Sequence, residues 1–462
     1  MFSFLSKKRK SVAKSSRFQP RVESLEDRLN LAGAVTALLA GPSLFLNGNN
    51  LDNEIRIEGT AAGAFTVSGV NGTTLNGVNN GSLNFTKIQN IFVDLRNGND
   101  VATVVSAQLA GMLRFVGGNG NDELLFGEFN NENQTIANLQ AIMGEGNDFV
   151  EVEGENNFSV PGSVLATLGN GNNTFDIDPN VNLTLGVTSI TAGTGFDFLD
   201  FGDGTVNAKS MALSLGSGGS NVFLDGEVTI TGALTVIAGA GDDNVNPGDG
   251  GGTNFVLNGS AAFNLGDGNN SVDFEHTNTT ITGALSVVTG SGNDSITSFG
   301  NNLTVLAASL ITGNGNDTIQ LSANATLVRS SLAIDTGAGL DTLVAFAVTV
   351  NGATSVNMGE GIDLVFVDNS RFRGVVTMLT GGGNDDVSIE DGGENDGIGT
   401  RFDSVVSIDL GAGNDDLFVG FDANDFVTTS STVIVNGGLG NDFLFASGFD
   451  VFAFAPILIS IT

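Results

Sequence analysis

A five-residue signature, Gly-x-Gly-Asn-Asp, recurs along most of this chain between runs of alternating apolar residues, as in VVTGSGNDSITSF (287–299) and SLITGNGNDTIQL (309–321). Its first glycine, or the residue in that place, falls at 96 (an Arg), 118, 144, 169, 193, 216, 239, 266, 290, 313, 337, 359, 381, 411 and 438. The fifteen copies lie 22 to 30 residues apart, about 24 on average. A period sustained this long marks a solenoid, whose units pack only on their neighbours.

The flanks decide between helix and strand. Apolar residues sit one, three and five places before the glycine, as at Leu234, Val236 and Ala238. They return two and four places after the aspartate, as at Ile319 and Leu321 or Val387 and Ile389. That is a period of two on both sides of a turn, rich in Val, Ile, Phe and Thr, without helix caps. The chain is therefore expected to be all-β: a right-handed parallel β-helix of about 15 coils of about 24 residues. One glycine-rich turn per coil leaves a three-sided cross-section. At about 4.8 Å per coil the rod is about 70 Å long.

The turn residues have separate physical reasons. Glycine takes positive φ without a Cβ clash, and Asn is the next most tolerant residue there. Asn precedes the last residue of the signature at 121, 147, 293, 316, 384, 414 and 441, where stacked amides can hydrogen-bond along the rod. Turn geometry does not explain the aspartate. It ends twelve of the fifteen copies, as Asp100, Asp122, Asp148, Asp197, Asp243, Asp294, Asp317, Asp341, Asp363, Asp385, Asp415 and Asp442; the others carry Asn173, Ser220 and Asn270. Stacked carboxylates about 5 Å apart repel by about 3 kcal/mol per pair at an effective dielectric of 20. A divalent cation between them removes the penalty. Ca²⁺ takes six to eight carboxylate and carbonyl oxygens in flexible geometry, which suits these turns better than the strict octahedron of Mg²⁺.

Gly-x-Gly-Asn-Asp-x-apolar resembles the RTX, or haemolysin-type, calcium-binding nonapeptide, Gly-Gly-x-Gly-x-Asp-x-apolar-x. GGNGNDELL from Gly117 and GGLGNDFLF from Gly437 match it in full, whereas others carry Thr first, as at Thr289, Thr312 and Thr336. The resemblance spans about Arg96 to Ala446. It implies calcium held by the twelve aspartates and by turn carbonyls shared between stacked coils. In the most regular block the glycines concerned are Gly290, Gly292, Gly313, Gly315, Gly337, Gly339, Gly359, Gly361, Gly381, Gly383, Gly411, Gly413, Gly438 and Gly440. Family nonapeptides run in tandem; here each longer coil has one, which implies a single calcium file. Seven consecutive copies from Asp294 to Asp442 keep the aspartate, so the C-terminal half is expected to gain more from calcium.

Charge sets the surroundings. Residues 1–35 carry 8 of the 17 Lys+Arg and 3 of the 51 Asp+Glu, leaving a body of 9 basic and 48 acidic residues. Such a body repels nucleic acid and anionic membrane and attracts cations. Cysteine is absent, which excludes disulfides, thiol nucleophiles and thiolate metal sites. Residues 1–41 read as a basic leader: RFQPRVESLEDRLNLAG (17–33) resembles the leader of many exported planctomycete proteins, which implies an extracellular or cell-surface location. LNLAGAVTALLAG is too short to span a bilayer, and no transmembrane segment is expected. A bare basic tail is the alternative.

Residues 42–95 keep strand patterns without the motif and are expected to form an N-terminal β cap on the repeats of 96–446, with 447–462 as a terminal capping strand. The acidic stretch EDGGENDGIGTRFD in the longest interval reads as a protruding loop. His276 is the only histidine, read as an exposed or ladder residue rather than a base. No triad or phosphate loop is present. The expected function is a non-catalytic, exported calcium-binding rod, structural or adhesive, folding on export. Its partners are calcium ions, with surface glycans or other surface proteins open. A β-helix polysaccharide lyase or hydrolase is one alternative, and would use Arg371, Arg373 or Arg401 with carboxylates. A metal-free acidic rod is the other.

Overall fold

The computed structural model describes residues 33–462, except 128–132, 155–156, 178–180, 249–251, 300–301, 391–397, 422–423, 449, 454 and 462. Among the described residues every regular element is a strand, wound into a β-solenoid of about 14 turns with a repeat near 24 residues. The basic leader up to residue 32 and half of the acidic loop, residues 391–397, lie outside the described residues.

Each coil contributes to three parallel ladders. On the first, leading into the glycine turn, Leu310 pairs with Ile334, then Val356, Met378, Ile408 and Val435. On the second, leaving the turn, Ile296 pairs with Ile319, then Leu343, Val365, Val387 and Leu417. The third carries Val305, Val328, Val350, Phe372 and Phe402. All of these side chains are buried, so alternate residues of these strands fill one continuous interior. Each is stabilising by about 1.5–3 kcal/mol relative to an exposed position. The Phe372 and Phe402 rings stack with centroids 5.3 Å apart. Because register slips by one residue would turn the apolar set outward, the alternation pins every coil to its neighbours.

The N-terminal end departs from the parallel pattern. Ala34–Ala40 folds back antiparallel on Ser43–Asn47, and Glu54–Ala61 on Ala64–Gly69, which in turn pairs Ser82–Phe85. Ser43–Asn47 and Glu54–Ala61 then hand over in parallel to Asn90–Asp94 and Val101–Val105. The antiparallel cap begins at Ala34, inside the stretch assigned to the leader, because Val35 is buried in its core. At the other end, Val451–Phe452 and Ile457–Ile459 extend the parallel ladders as a further partial coil. Ile457, Leu458 and Ile459 there are about half exposed.

Candidate functional site

The glycine turns stack on one another through their own backbone, as Ser291 with Asn314 and Asn314 with Ala338. Of the fourteen candidate glycines, all but Gly290 and Gly339 have φ between +86° and +159°. Arg96, standing for the first glycine of the first copy, also takes a positive φ, of 78°. At Gly315 the requirement is double. Its φ is +143°, and a Cβ there would overlap the carbonyl oxygen of Gly292 one coil below.

The structure brings all twelve aspartates into one file, and turns them inward. Each is at most 2% exposed. Except at Asp243, whose Oδ1 has no donor because Ser220 N–H goes to the Asp242 carbonyl, their Oδ1 atoms form a ladder: the backbone N–H of one turn donates to the carboxyl of the next. Asp294 donates to Asp317 and Asp317 to Asp341, both at 2.8 Å. Asp341 donates to Asp363, Asp363 to Asp385 and Asp385 to Asp415, all at 2.9 Å. The asparagines before them form a second, opposite ladder on the exposed side, in which Asn316 donates its N–H to Asn293 Oδ1 and Asn441 to Asn414. At Ser220 the side chain is too short to accept, and Asp197 N–H turns to the Gly219 carbonyl.

The second carboxyl oxygen, Oδ2, is buried without a hydrogen-bond partner in all twelve aspartates. The asparagine turns reveal what surrounds it. Asn173 and Asn270 use Oδ1 as the aspartates do, accepting from Asp148 and Asp243 N–H at 3.0 Å. Their Nδ2 groups occupy the place of Oδ2. Asn173 Nδ2 donates to the Gly169 and Gly171 carbonyls at 3.3 and 3.2 Å and to Asp197 Oδ1 at 3.0 Å. Asn270 Nδ2 donates to the Gly266 and Gly268 carbonyls at 3.0 and 3.1 Å. The register of the file therefore sets each aspartate Oδ2 against acceptors, where only a donor or a cation is satisfied.

Burial pushes Asp100, Asp148 and Asp243 up to about 7, and Asp122, Asp197, Asp363 and Asp415 to about 6. Donors from the preceding turn pull the other way, and the neighbouring carboxylates add less. Desolvation, more than the like-charge repulsion that the sequence suggests, is what strains the file. Asp294, Asp317, Asp341 and Asp385 are also raised by burial, offset first by the preceding N–H; beside each carboxyl stands a threonine whose hydroxyl proton is committed to a backbone carbonyl.

That threonine stands where the nonapeptide has its first glycine. Thr312 and Thr336 are fully buried, and their hydroxyls donate to the Thr336 and Met358 carbonyls of the next coil at 3.2 and 2.7 Å. Thr289 and Thr380 do the same toward Thr312 and Leu410. The file also has a member outside the five-residue signature. Asn53 donates its N–H to Asp100 Oδ1 at 2.6 Å, and its Nδ2 reaches the Asn49, Leu51 and Leu95 carbonyls. Its signal was Ile55 and Ile57, two and four places on, the same offsets that follow each aspartate.

The donor set is hard oxygen throughout, one carboxyl per coil together with turn carbonyls, which is the chemistry that Ca²⁺ prefers. The described residues hold no cluster of three or more His, Cys, Asp or Glu side chains suited to a metal, because most of the oxygens here are carbonyls. Elsewhere, His276 is buried rather than exposed. Its ring nitrogens lie 2.8 Å from the Pro247 and Gly226 carbonyls, so a neutral ring satisfies one and an imidazolium both. Arg371 and Arg401 both pair with Asp403, Arg371 at 2.8 Å. Two interior cavities are apolar, lined by core residues such as Ile389, Phe402, Val406 and Ile408. No helix among the described residues is long and apolar enough to cross a membrane. Compared with known proteins, the chain matches no family model, and no curated protein matches it.

Proposed function

We propose that this protein is an exported, non-catalytic rod whose stacked glycine turns hold calcium ions along one edge, serving as a structural or adhesive module outside the cell. The observation that carries the reading is the row of twelve buried Oδ2 atoms without partners, lying where asparagine amides of the same file donate to turn carbonyls. Calcium supplies there the positive charge that these oxygens lack. The residues that would hold it are Asp100 through Asp442 of the file, with the carbonyls two and four places before each. The resemblance to RTX repeats supports the same ion, and the resemblance of residues 17–33 to an export leader supports the location. A surface of net negative charge lets the rod bind further cations and leaves glycans or other surface proteins as candidate partners.

Circular dichroism and thermal melting of the protein in EDTA, then with calcium added back, test this. The expected outcome is a rise in melting temperature with calcium concentration, since an ion bound only by the folded form stabilises as RT ln(1 + [L]/Kd). Identical melting in EDTA and in millimolar calcium at pH 8 would favour the metal-free rod. Turnover of polysaccharides by the same preparation would favour the lyase or hydrolase.

A further inference from the structure

The three asparagines of the file are not weak copies of the aspartate. Asn53, Asn173 and Asn270 are each about 1% exposed, and each keeps the ladder bond of the side-chain oxygen or backbone N–H. What changes is the second terminal atom. An N–H₂ group brings two donors into a place where a carboxylate brings only lone pairs. Asn173 spends them on Gly169 O, Gly171 O and the Oδ1 of Asp197 in the next coil. Asn53 makes the corresponding contacts to Asn49 O, Leu51 O and Asp100 Oδ1, and adds the Leu95 carbonyl. The same acceptors, own-turn carbonyls plus the next turn's carboxyl, are those a cation would need.

We infer that Asn53, Asn173 and Asn270 are amide plugs: in their turns the side chain itself satisfies the oxygens that a cation satisfies in the aspartate turns. This rests on the cation reading above. The plugs thereby divide the ion file into three stretches: Asp100 to Asp148, Asp197 and Asp243 with Ser220 between them, and Asp294 to Asp442. The plugged turns need no metal, so they are fixed points of the rod when calcium is withdrawn. The longest run, with seven aspartates and no plug, is the part left without such a point. An amide gives up no desolvated charge, whereas an aspartate there strands one unless an ion arrives.

Asn173→Asp and Asn270→Asp in the full chain test the assignment, with bound calcium counted by equilibrium dialysis against a calcium-selective readout. Each substitution is expected to add one calcium per chain. Each is also expected to lower the melting temperature in EDTA at pH 8 and to restore it at saturating calcium. Asp363→Asn, the reverse change, is expected to bind one ion fewer and to melt higher in EDTA than the parent. Asn172→Asp, on the exposed asparagine ladder, serves as the control and is expected to leave the count unchanged. If the parent binds calcium but Asn173→Asp and Asn270→Asp bind the same number, the plug assignment is overturned and the cation reading stands. A parent that binds no calcium overturns both.

Discussion

At the scale of single residues, the decisive fact is that every file aspartate but Asp243 does two jobs with its two oxygens. Oδ1 accepts the N–H of the turn before it and thereby holds the coils in register; Oδ2 is left for a proton or a cation. Removing both jobs is costly. Asp363→Ala leaves the buried N–H of Asp341 without its acceptor and is expected to destabilise the calcium-loaded rod by at least about 1–3 kcal/mol, and the rod in EDTA by less, where it also removes a stranded charge. Urea unfolding in calcium checks it, and an unchanged midpoint would remove the ladder from the account. The raised pKa values predict a pH dependence whose sign is opposite to that of ordinary salt-bridged carboxylates. Folded-state values of about 6 to 7 exceed the unfolded value near 3.8, so between those limits the folded form binds more protons. Without metal, stability is therefore full in acid and drains as pH rises from about 4 through 7. The urea midpoint in EDTA is expected to fall between pH 5 and pH 8, and calcium to abolish that fall. A midpoint that climbs with pH in EDTA would contradict the buried, uncompensated carboxyl.

At the scale of the element, the turn is the unit on which the stacking depends. Coils stack so closely at this corner that backbone lies over backbone with no room for a side chain. Gly315→Ala is expected to cost more than the roughly 1–3 kcal/mol of a strained φ alone, because its Cβ also meets the Gly292 carbonyl. Thermal melting measures it, with Asn314→Ala in the same turn as the comparison. The threonines in the first-glycine position need reading in the same frame. As sequence they look like decay of the nonapeptide, yet Thr289, Thr312, Thr336 and Thr380 each tie one turn to the next through a buried hydroxyl. Such a hydroxyl adds about 1 kcal/mol of hydrogen bond where glycine adds none.

At the scale of the whole molecule, the solenoid's interior is continuous but is assembled coil by coil. Each coil borrows stability from its two neighbours, so local losses stay local unless they are repeated. Seven successive unplugged aspartates concentrate that risk between Asp294 and Asp442, whereas residues 34–85 form an antiparallel cap that depends on no file aspartate but Asp100. Hydrogen exchange on the full chain at pH 8 is expected to show protection lost on calcium removal first in 290–446 and last in the cap. Uniform loss along the rod would mean that the file acts as one unit and that its uneven composition carries no consequence.

Much of this was legible beforehand. The repeat length, the alternation on either side of the glycines and the absence of helix caps determined a parallel solenoid, because a strand's period of two and a coil's period of about 24 are both written in residue order. Which residues share the file followed from the same register. The orientation of the aspartates did not, since a turn residue is ordinarily solvated and nothing in a linear pattern says that this one points inward. Nor did the place of Asn53 or of His276, whose partners lie 47 and 29 or more residues away in sequence. Stacking decided these, because only when coils are laid upon one another does a carbonyl of one turn meet a carboxyl of the next, out of reach of water.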